Sequence, residues 1–259
     1  MSQIRQTRLS FAPWADPRTR RLPGVVPVGM ADWLEVDDAY AGQMALRDDL
    51  IARHPGRVLA LDETARPAAE ELFDLVLAHL PAGFTQGATI RRPDGLSVTP
   101  DRARPLETLG RLVQEDLCLM REGPQGHVLV GAVLCFPAGW TLTEKFGRAM
   151  MGIHRPVAKY TEDIGARVQR LMDGVQPGRP LMRGTAHHSN AALHNPRTEA
   201  MGHTPGGDLP FIRVERQVLL RLPVTRLVCF SIHTYVVAPE ALSPEQAAAL
   251  AEFPIRQAA

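Results

Sequence analysis

Three residues able to hold a cofactor fall close together between positions 134 and 157. An apolar run leads into Trp140, a short predicted helix carries Lys145, and His154 follows an isoleucine and precedes an Arg-Pro pair. A neutral imidazole is a common metal ligand, and a lysine supplies a point positive charge. This stretch is therefore a candidate site for a flat, anionic cofactor.

Lys145 is unusual because the chain has only two lysines against 27 arginines. Arginine thus supplies almost all the positive charge, and a retained lysine indicates a position that needs an ammonium rather than a planar guanidinium. The alternative is that Lys145 is an ordinary solvated helix residue.

A second group of chemically capable residues combines Arg183, Glu215 and Arg216 with His154. On a strand, the odd-numbered residues of 213–217 share one face and the even-numbered residues share the other. Charged side chains on a covered face must be paired or functional. They form either a structural ion pair or a polar cofactor pocket, in which arginine binds carboxylates and Glu215 transfers protons.

Four histidines, His187, His188, His194 and His203, lie within a short stretch rich in Gly, Asn and Pro. Imidazoles bind zinc and iron, but no HExxH spacing accompanies them. The stretch is predicted to be a solvated loop, with a metal site as the alternative.

Composition narrows the class of protein. A net charge of +1 argues against a nucleic-acid surface, and no apolar run reaches the length of a membrane span. Three cysteines without CxxC spacing indicate a reducing compartment, with Cys135 and Cys229 buried as thiols. Because the N-terminal residues show no signal-peptide pattern, we expect a cytoplasmic protein.

The elements that must position these residues follow from periodicity and from turn signals. Residues 1–30 form an N-terminal arm that is expected to wrap the surface of a single domain covering 1–259. Helices are predicted over 37–54, 66–80, 106–120, 143–151, 156–173 and 243–254, with Ser243 as the last N-cap. Strands are predicted over 127–136, 216–222 and 227–237, and loops or short strands over 86–104.

The short connection between the last two strands predicts an antiparallel hairpin, so the fold class is α+β, an antiparallel sheet with surrounding helices. The chain lacks GxGxxG, P-loop and Gly-x-Ser-x-Gly motifs. A classical dinucleotide site, a P-loop NTPase and an α/β-hydrolase are therefore unsupported.

Several motifs, in order along nearly the whole chain, resemble the haem-dependent oxidative N-demethylase family. They are Asp32-Trp33-Leu34-Glu35, Leu112-Val113-Gln114-Glu115-Asp116-Leu117, Cys135-Phe136-Pro137-Ala138-Gly139-Trp140, Lys145-Phe146-Gly147, Ile153-His154-Arg155-Pro156-Val157, Arg183, and the run from Glu215 through Pro223. The resemblance implies a PAS-like haem-binding fold, with these motifs around the haem. It also implies oxidative demethylation of a secondary or tertiary amine, with O2 and electrons from a separate reductase.

Residue chemistry then assigns roles at the matching positions. His154 is the expected ligand of the iron of haem b. Lys145 and Arg183 are expected to pair with the propionates, and Trp140 and Arg216 to complete the cofactor site. Glu215 is the expected catalytic acid or base.

The chain departs from the family after Arg183, where an Asn-Trp pair is common and Gly184-Thr185 stands here. The substrate is therefore expected to differ from dimethylamine, or catalysis to be lost. Alternatives to the demethylase are a non-catalytic haem sensor or carrier and a non-haem metalloprotein that uses the histidines between 187 and 203.

Overall fold

The computed structural model describes residues 4–20, 24–154, 162–190, 192–201 and 207–255. The α-helices in these residues are α1 Tyr40–Arg53, α2 Pro55–Val58, α3 Arg66–Ala78, α4 Pro105–Gly110, α5 Leu142–Lys145, α6 Met150–His154, α7 Glu162–Gly174 and α8 Pro244–Glu252. The strands are β1 Val26–Pro27, β2 Leu59–Leu61, β3 Thr85–Gln86, β4 Ile90–Arg91, β5 Ser97–Val98, β6 Asp116–Arg121, β7 Val128–Val133, β8 Leu181–Ser189, β9 Phe211–Arg221 and β10 Val228–Val237.

The fold is α+β, as predicted. Its main sheet is antiparallel and has the strand order β1-β8-β9-β10-β6-β7-β2. A small sheet of β3, β4 and β5 accounts for the short strands predicted over 86–104. Helices α1, α3 and α8 confirm three of the predicted helices. Ser243 caps α8 in a reciprocal capping box with Gln246.

The predicted hairpin is the centre of the main sheet. β9 and β10 pair over their whole length, from Ile212 opposite Val237 to Arg221 opposite Val228. The turn is fastened to α3 because the Glu71 carboxylate accepts the backbone N–H groups of Val224 and Thr225, at 2.6 and 2.8 Å. This pair of strands provides a fixed frame for the side chains on both faces.

The two faces of the main sheet carry different side chains and different covers. We call the face with Glu215 and Gln217 the front face, and the face with Val214 and Arg216 the back face. Helices α1, α3 and α4 contribute Ile51, Leu72 and Leu109 to the core on the back face. Gly110 ends α4 where it approaches the sheet closely, since an added Cβ would lie 2.5 Å from Val133 Cγ2.

The front face is apolar at one end and polar towards the other. Its apolar end packs against α5, α6 and α7 in a second cluster of buried and half-buried side chains. Leu219 and Val228 come from the sheet, and Leu142, Met172 and Val175 come from the covering segments. This packing fixes the segment that carries Lys145 and His154 over the sheet.

The prediction of a helix over 106–120 is wrong beyond residue 110. Only Pro105–Gly110 is helical, and Asp116–Arg121 is a strand paired with β7 and β10. Both faces of this strand are covered, so its side chains form a continuous apolar run rather than an alternating one. Such a run has no period that separates a buried strand from a buried helix.

Two further expectations need correction. Residues 187 and 188 do not lie in a solvated loop but on strand β8, where both are half-buried. The helix predicted over 143–151 is two short helices separated near Gly147, whose φ of 76° lies in the left-handed region. The predicted start of the following helix, at 156, lies outside the described residues, and α7 is described from residue 162.

The N-terminal arm is more than a surface wrapping. Leu9, Ala12 and Trp14 are buried against Ile212 and Tyr235 at the end of the back face. Further along the arm, β1 adds an edge strand to β8. The arm therefore completes the core next to the strand that carries Arg183.

Candidate functional site

The front face presents three consecutive rows of side chains across β8, β9 and β10. Directly opposite residues of antiparallel strands share a face, so the register defines each row. The rows are Arg183–Gln217–Ile232, Thr185–Glu215–Thr234 and His187–Arg213–Val236. We call these three rows the polar rows. They begin one row beyond Leu181, Leu219 and Phe230, which belong to the apolar end of the face.

The segment from Trp140 to His154 lies over that apolar end. Trp140, Phe146, Met150 and Ile153 are half-buried and pack against its cluster. His154 follows Ile153 as the last residue of α6, so this packing fixes the backbone that carries it. Two of the predicted cofactor residues, Trp140 and His154, are thus held by one packed segment.

His154 is held as a neutral imidazole with a defined orientation. Its Nδ1 lies 3.0 Å from the carbonyl oxygen of Met150. Burial lowers the pKa of His154, and the positive charges of Lys145 and Arg183 lower it further, against the effect of the Met150 contact. Metal-binding histidines commonly donate one ring N–H to a backbone carbonyl and ligate through the other nitrogen. The Nδ1 contact is therefore the one expected of an Nε2 ligand.

The positive charges of Lys145 and Arg183 both act on His154, lowering its pKa. Lys145 is 2% exposed, so the alternative of an ordinary solvated lysine is wrong. Its Nζ lies 2.9 Å from Glu199 Oε1, an atom that also accepts from Arg148 at 2.8 Å. The hydrogen bond from Lys145 is the main reason that the pKa of Glu199 is lowered.

Glu215 is a buried carboxylate at the centre of the polar rows, with an exposed fraction of 9%. Its Oε2 accepts from Gln217 Nε2 at 3.0 Å, and its Oε1 lies 3.5 Å from Arg213 Nε. Arg213 also donates to the backbone carbonyl oxygens of Leu193 and Phe136. The ion pair that the sequence offered as one alternative is therefore present, and it fixes Glu215 within the polar rows.

Arg216 is not brought to the other predicted site residues, because it points to the back face. Its Nε lies 2.9 Å from Glu35 Oε1, and its guanidinium donates to the carbonyl oxygens of Trp33 and Asp32. Arg216 thus anchors the Asp32–Glu35 stretch, which links two of the sequence motifs through a structural contact.

Sequence reasoning missed two residues of the polar rows, Thr185 and Thr234, and it did not place His187 next to Arg213. Burial lowers the pKa of His187, while Glu215 raises it and Arg213 lowers it. Thr234 is 1% exposed, and its hydroxyl has no hydrogen-bond partner within the described residues. The signal available in the sequence was the alternation around Glu215, but Thr185 and His187 lie on a strand that the sequence did not reveal.

The histidines between 187 and 203 do not converge in the part of the chain that is described. His187 and His188 point to opposite faces of β8, and His194 Nδ1 lies 2.8 Å from the carbonyl oxygen of Cys135. His203 lies outside the described residues. Over the described ranges, no three His, Cys, Asp or Glu side chains are grouped as metal ligands.

Among the residues that the structure covers, none of the helices combines the length and apolar character needed to span a bilayer. The three cysteines are free thiols, and all are buried. Cys135 and Cys229 thus agree with the prediction of buried thiols.

The fold and the site together define a class: an α+β protein whose antiparallel sheet carries polar rows on one face, with the segment that bears Lys145 and His154 packed over the apolar end of that face. The family model described as haem-dependent oxidative N-demethylase, alpha subunit-like, matches residues 24–253. The match covers most of the chain, and the chain belongs to this family.

Proposed function

We propose that this chain binds haem b and, with O2 and electrons from a separate reductase, oxidatively demethylates a small methylated amine. The observation that carries the proposal is His154, a half-buried imidazole whose pKa is lowered by burial and by the charges of Lys145 and Arg183, in a member of a haem-dependent family.

The described residues fit a haem in both charge and polarity. Trp140 and Ile153 offer apolar surface to a flat macrocycle, since both extend a hydrophobic cluster while remaining half-buried. Lys145 and Arg183 supply positive charge suited to the two carboxylates of a haem. We propose that His154 ligates the iron, a usual role for imidazole. Lys145 then contacts a haem propionate, either in place of Glu199 or together with it.

Haem, when bound, supplies an iron centre at which O2 is reduced and the N-methyl group of the amine is oxidised. The chain itself supplies a proton acceptor at the Glu215 carboxylate. Arg213 and Gln217 hold that carboxylate in place on the front face. Arg216 is proposed to have a structural role rather than a role in the cofactor site, because it binds backbone carbonyls on the back face.

The location of the protein is proposed to be cytoplasmic. Free, buried thiols at Cys118, Cys135 and Cys229 support a reducing compartment.

A haem sensor or carrier remains the second candidate function. It is favoured by the contacts of Glu215, because a carboxylate held by both Arg213 and Gln217 has a structural reason to be present without turnover. Absorption spectroscopy of protein expressed with a haem precursor tests haem binding. Formaldehyde release, measured with O2, methylated amines and a surrogate reductase, then separates the enzyme from the sensor. A Soret band with no formaldehyde from any amine would support the sensor.

A further inference from the structure

The middle polar row places one carboxylate between two hydroxyl groups. Thr185 on β8 and Thr234 on β10 lie directly opposite Glu215 on β9, one on each side. Neighbouring strands are separated by about 4.8 Å, so both threonine side chains project next to Glu215 on the same face. A ligand group bound at Glu215 is therefore within reach of a hydroxyl.

The hydroxyl of Thr234 has no hydrogen-bond partner among the described residues. Thr234 is buried with its oxygen screened from water, and Thr185 is half-buried on the side of β8. Buried polar groups in folded proteins are nearly always hydrogen-bonded, so the unpaired Thr234 hydroxyl leaves the row incomplete without a ligand. Because Thr185 is the less buried of the two, a ligand approaches the row from β8.

We propose that the Thr185–Glu215–Thr234 row is a substrate subsite that selects a methylated amine carrying a hydroxyl group two carbons from its nitrogen. The inference rests on the proposed demethylase function. The ammonium N–H of the substrate donates to Glu215, and its hydroxyl pairs with Thr185. A hydroxyl both donates and accepts, so it satisfies a threonine in either orientation.

The charges around the row disfavour a substrate that carries a carboxylate in place of the hydroxyl. A substrate carboxylate at Thr185 would lie beside the Glu215 carboxylate and be repelled by it. Arg213 does not offset this repulsion, because its guanidinium is engaged with Glu215 and with the carbonyl oxygens of Leu193 and Phe136. A bare alkylamine, in contrast, offers no polar group to pair with Thr185.

The experiment compares two amines of equal length, 2-(methylamino)ethanol and N-methylpropylamine, with N-methylglycine as the acidic probe. Dissociation constants are measured by calorimetry on the haem-loaded protein, and formaldehyde release is measured alongside. We expect the hydroxylated amine to bind roughly tenfold more tightly than N-methylpropylamine and N-methylglycine to bind more weakly than both.

Two variants at one position provide the matched control. Thr185→Val keeps the shape but removes the hydroxyl, and it should bring the affinity ratio close to one. Thr185→Ser keeps the hydroxyl and should preserve the preference. Thr234→Val should reduce the ratio if the ligand reaches the inner hydroxyl, and it should slow both amines equally if Thr234 only orients Glu215.

Each failure has a distinct signature. If the wild-type protein binds the two amines with nearly equal affinity, or if the affinity ratio is unchanged in Thr185→Val, the subsite proposal is wrong. Formaldehyde release in the same experiment would still support the demethylase function. If none of the three amines binds and none yields formaldehyde, the subsite and the proposed function both fail.

Discussion

Glu215 and Arg216 are consecutive residues of β9, and their side chains lie on opposite faces of the main sheet. Glu215 joins Gln217 and Arg213 on the front face, while Arg216 pairs with Glu35 on the back face. One dipeptide thus connects the candidate site to the segment that covers the back of the sheet. Substitutions at these two positions should therefore have different consequences, one for chemistry and the other for folding.

The haem ligand is predicted to be His154. His154→Ala should abolish or strongly alter the Soret band, because no imidazole would remain at the end of α6 to ligate iron. The matched control is His188→Ala, which removes a half-buried histidine from the back face of β8. Circular dichroism confirms folding. An unaltered Soret band in the His154 variant would move the ligand to another histidine.

The cations beside His154 are predicted to hold the cofactor carboxylates. A hydrogen bond to a charged group contributes about 1.5–3 kcal/mol, so Lys145→Met and Arg183→Met should each weaken haem affinity by about ten- to a hundredfold. Titration of haem into the apoprotein measures the change.

Arg148→Met is the control for the cation substitutions, since Arg148 shares Glu199 with Lys145 but is considerably more exposed. If the Lys145 and Arg183 variants both bind haem with wild-type affinity, these two residues contact only protein groups and not the cofactor.

The front face was only partly predictable from the sequence. The alternation around Glu215 correctly separated Glu215 and Gln217 from Arg216, because a strand has a fixed period of two. The partner strand β8 was missed because its front-face residues, such as Arg183 and Thr185, are polar and its back-face position 184 is glycine. A strand that lines a polar site lacks the hydrophobic alternation by which strands are recognised.

The same reasoning accounts for the error at β6. Asp116 was included in the predicted helix over 106–120, yet its carboxylate is buried on a strand, accepts the backbone N–H groups of Cys135 and Phe136, and pairs with Arg47 at 2.7 Å. A buried charge whose partners are distant in sequence cannot be distinguished from a solvated one without the tertiary structure.

Glu215 is predicted to accept a proton during turnover. Glu215→Gln keeps the size but replaces one acceptor oxygen by an NH2 donor and removes the basic carboxylate, so formaldehyde release should fall by about 10²–10⁴-fold. Glu240→Gln, at an exposed position, should leave the rate unchanged. If turnover is present and unaffected in Glu215→Gln, the demethylase stands and the assigned role of Glu215 is wrong.

A buried ion cluster on the back face is predicted to make stability depend on pH. His233 lies 3.1 Å from Asp37 and 3.0 Å from Glu115. Burial alone would lower the pKa of His233, but the hydrogen bonds to the two carboxylates outweigh it and raise the pKa to about 10. The raised pKa stabilises the fold fully below the ordinary value of 6.5, and this contribution is lost as pH rises through about 10.

The test is urea denaturation of wild type and His233→Gln at pH 6.5, 8 and 10. Loss of one partner from a buried ion pair costs about 3–5 kcal/mol, so the variant should be less stable by that order at pH 6.5. The difference should shrink towards pH 10. A difference that is constant across this range would mean that His233 is not charged in the folded protein.

Gly184 is predicted to be required for docking of the N-terminal arm on β8. It points to the back face, where an added Cβ would lie 2.2 Å from Phe11 Cε1 and 2.9 Å from Pro13 Cβ. Overpacking of this kind costs about 1–3 kcal/mol, so Gly184→Ala should lower the free energy of unfolding by that amount. Phe11→Ala in the same chain opens space for the new methyl group, and the double variant should be less destabilised than the sum of the single changes. Additive effects in this cycle would show that the arm does not contact β8 at Gly184 in solution.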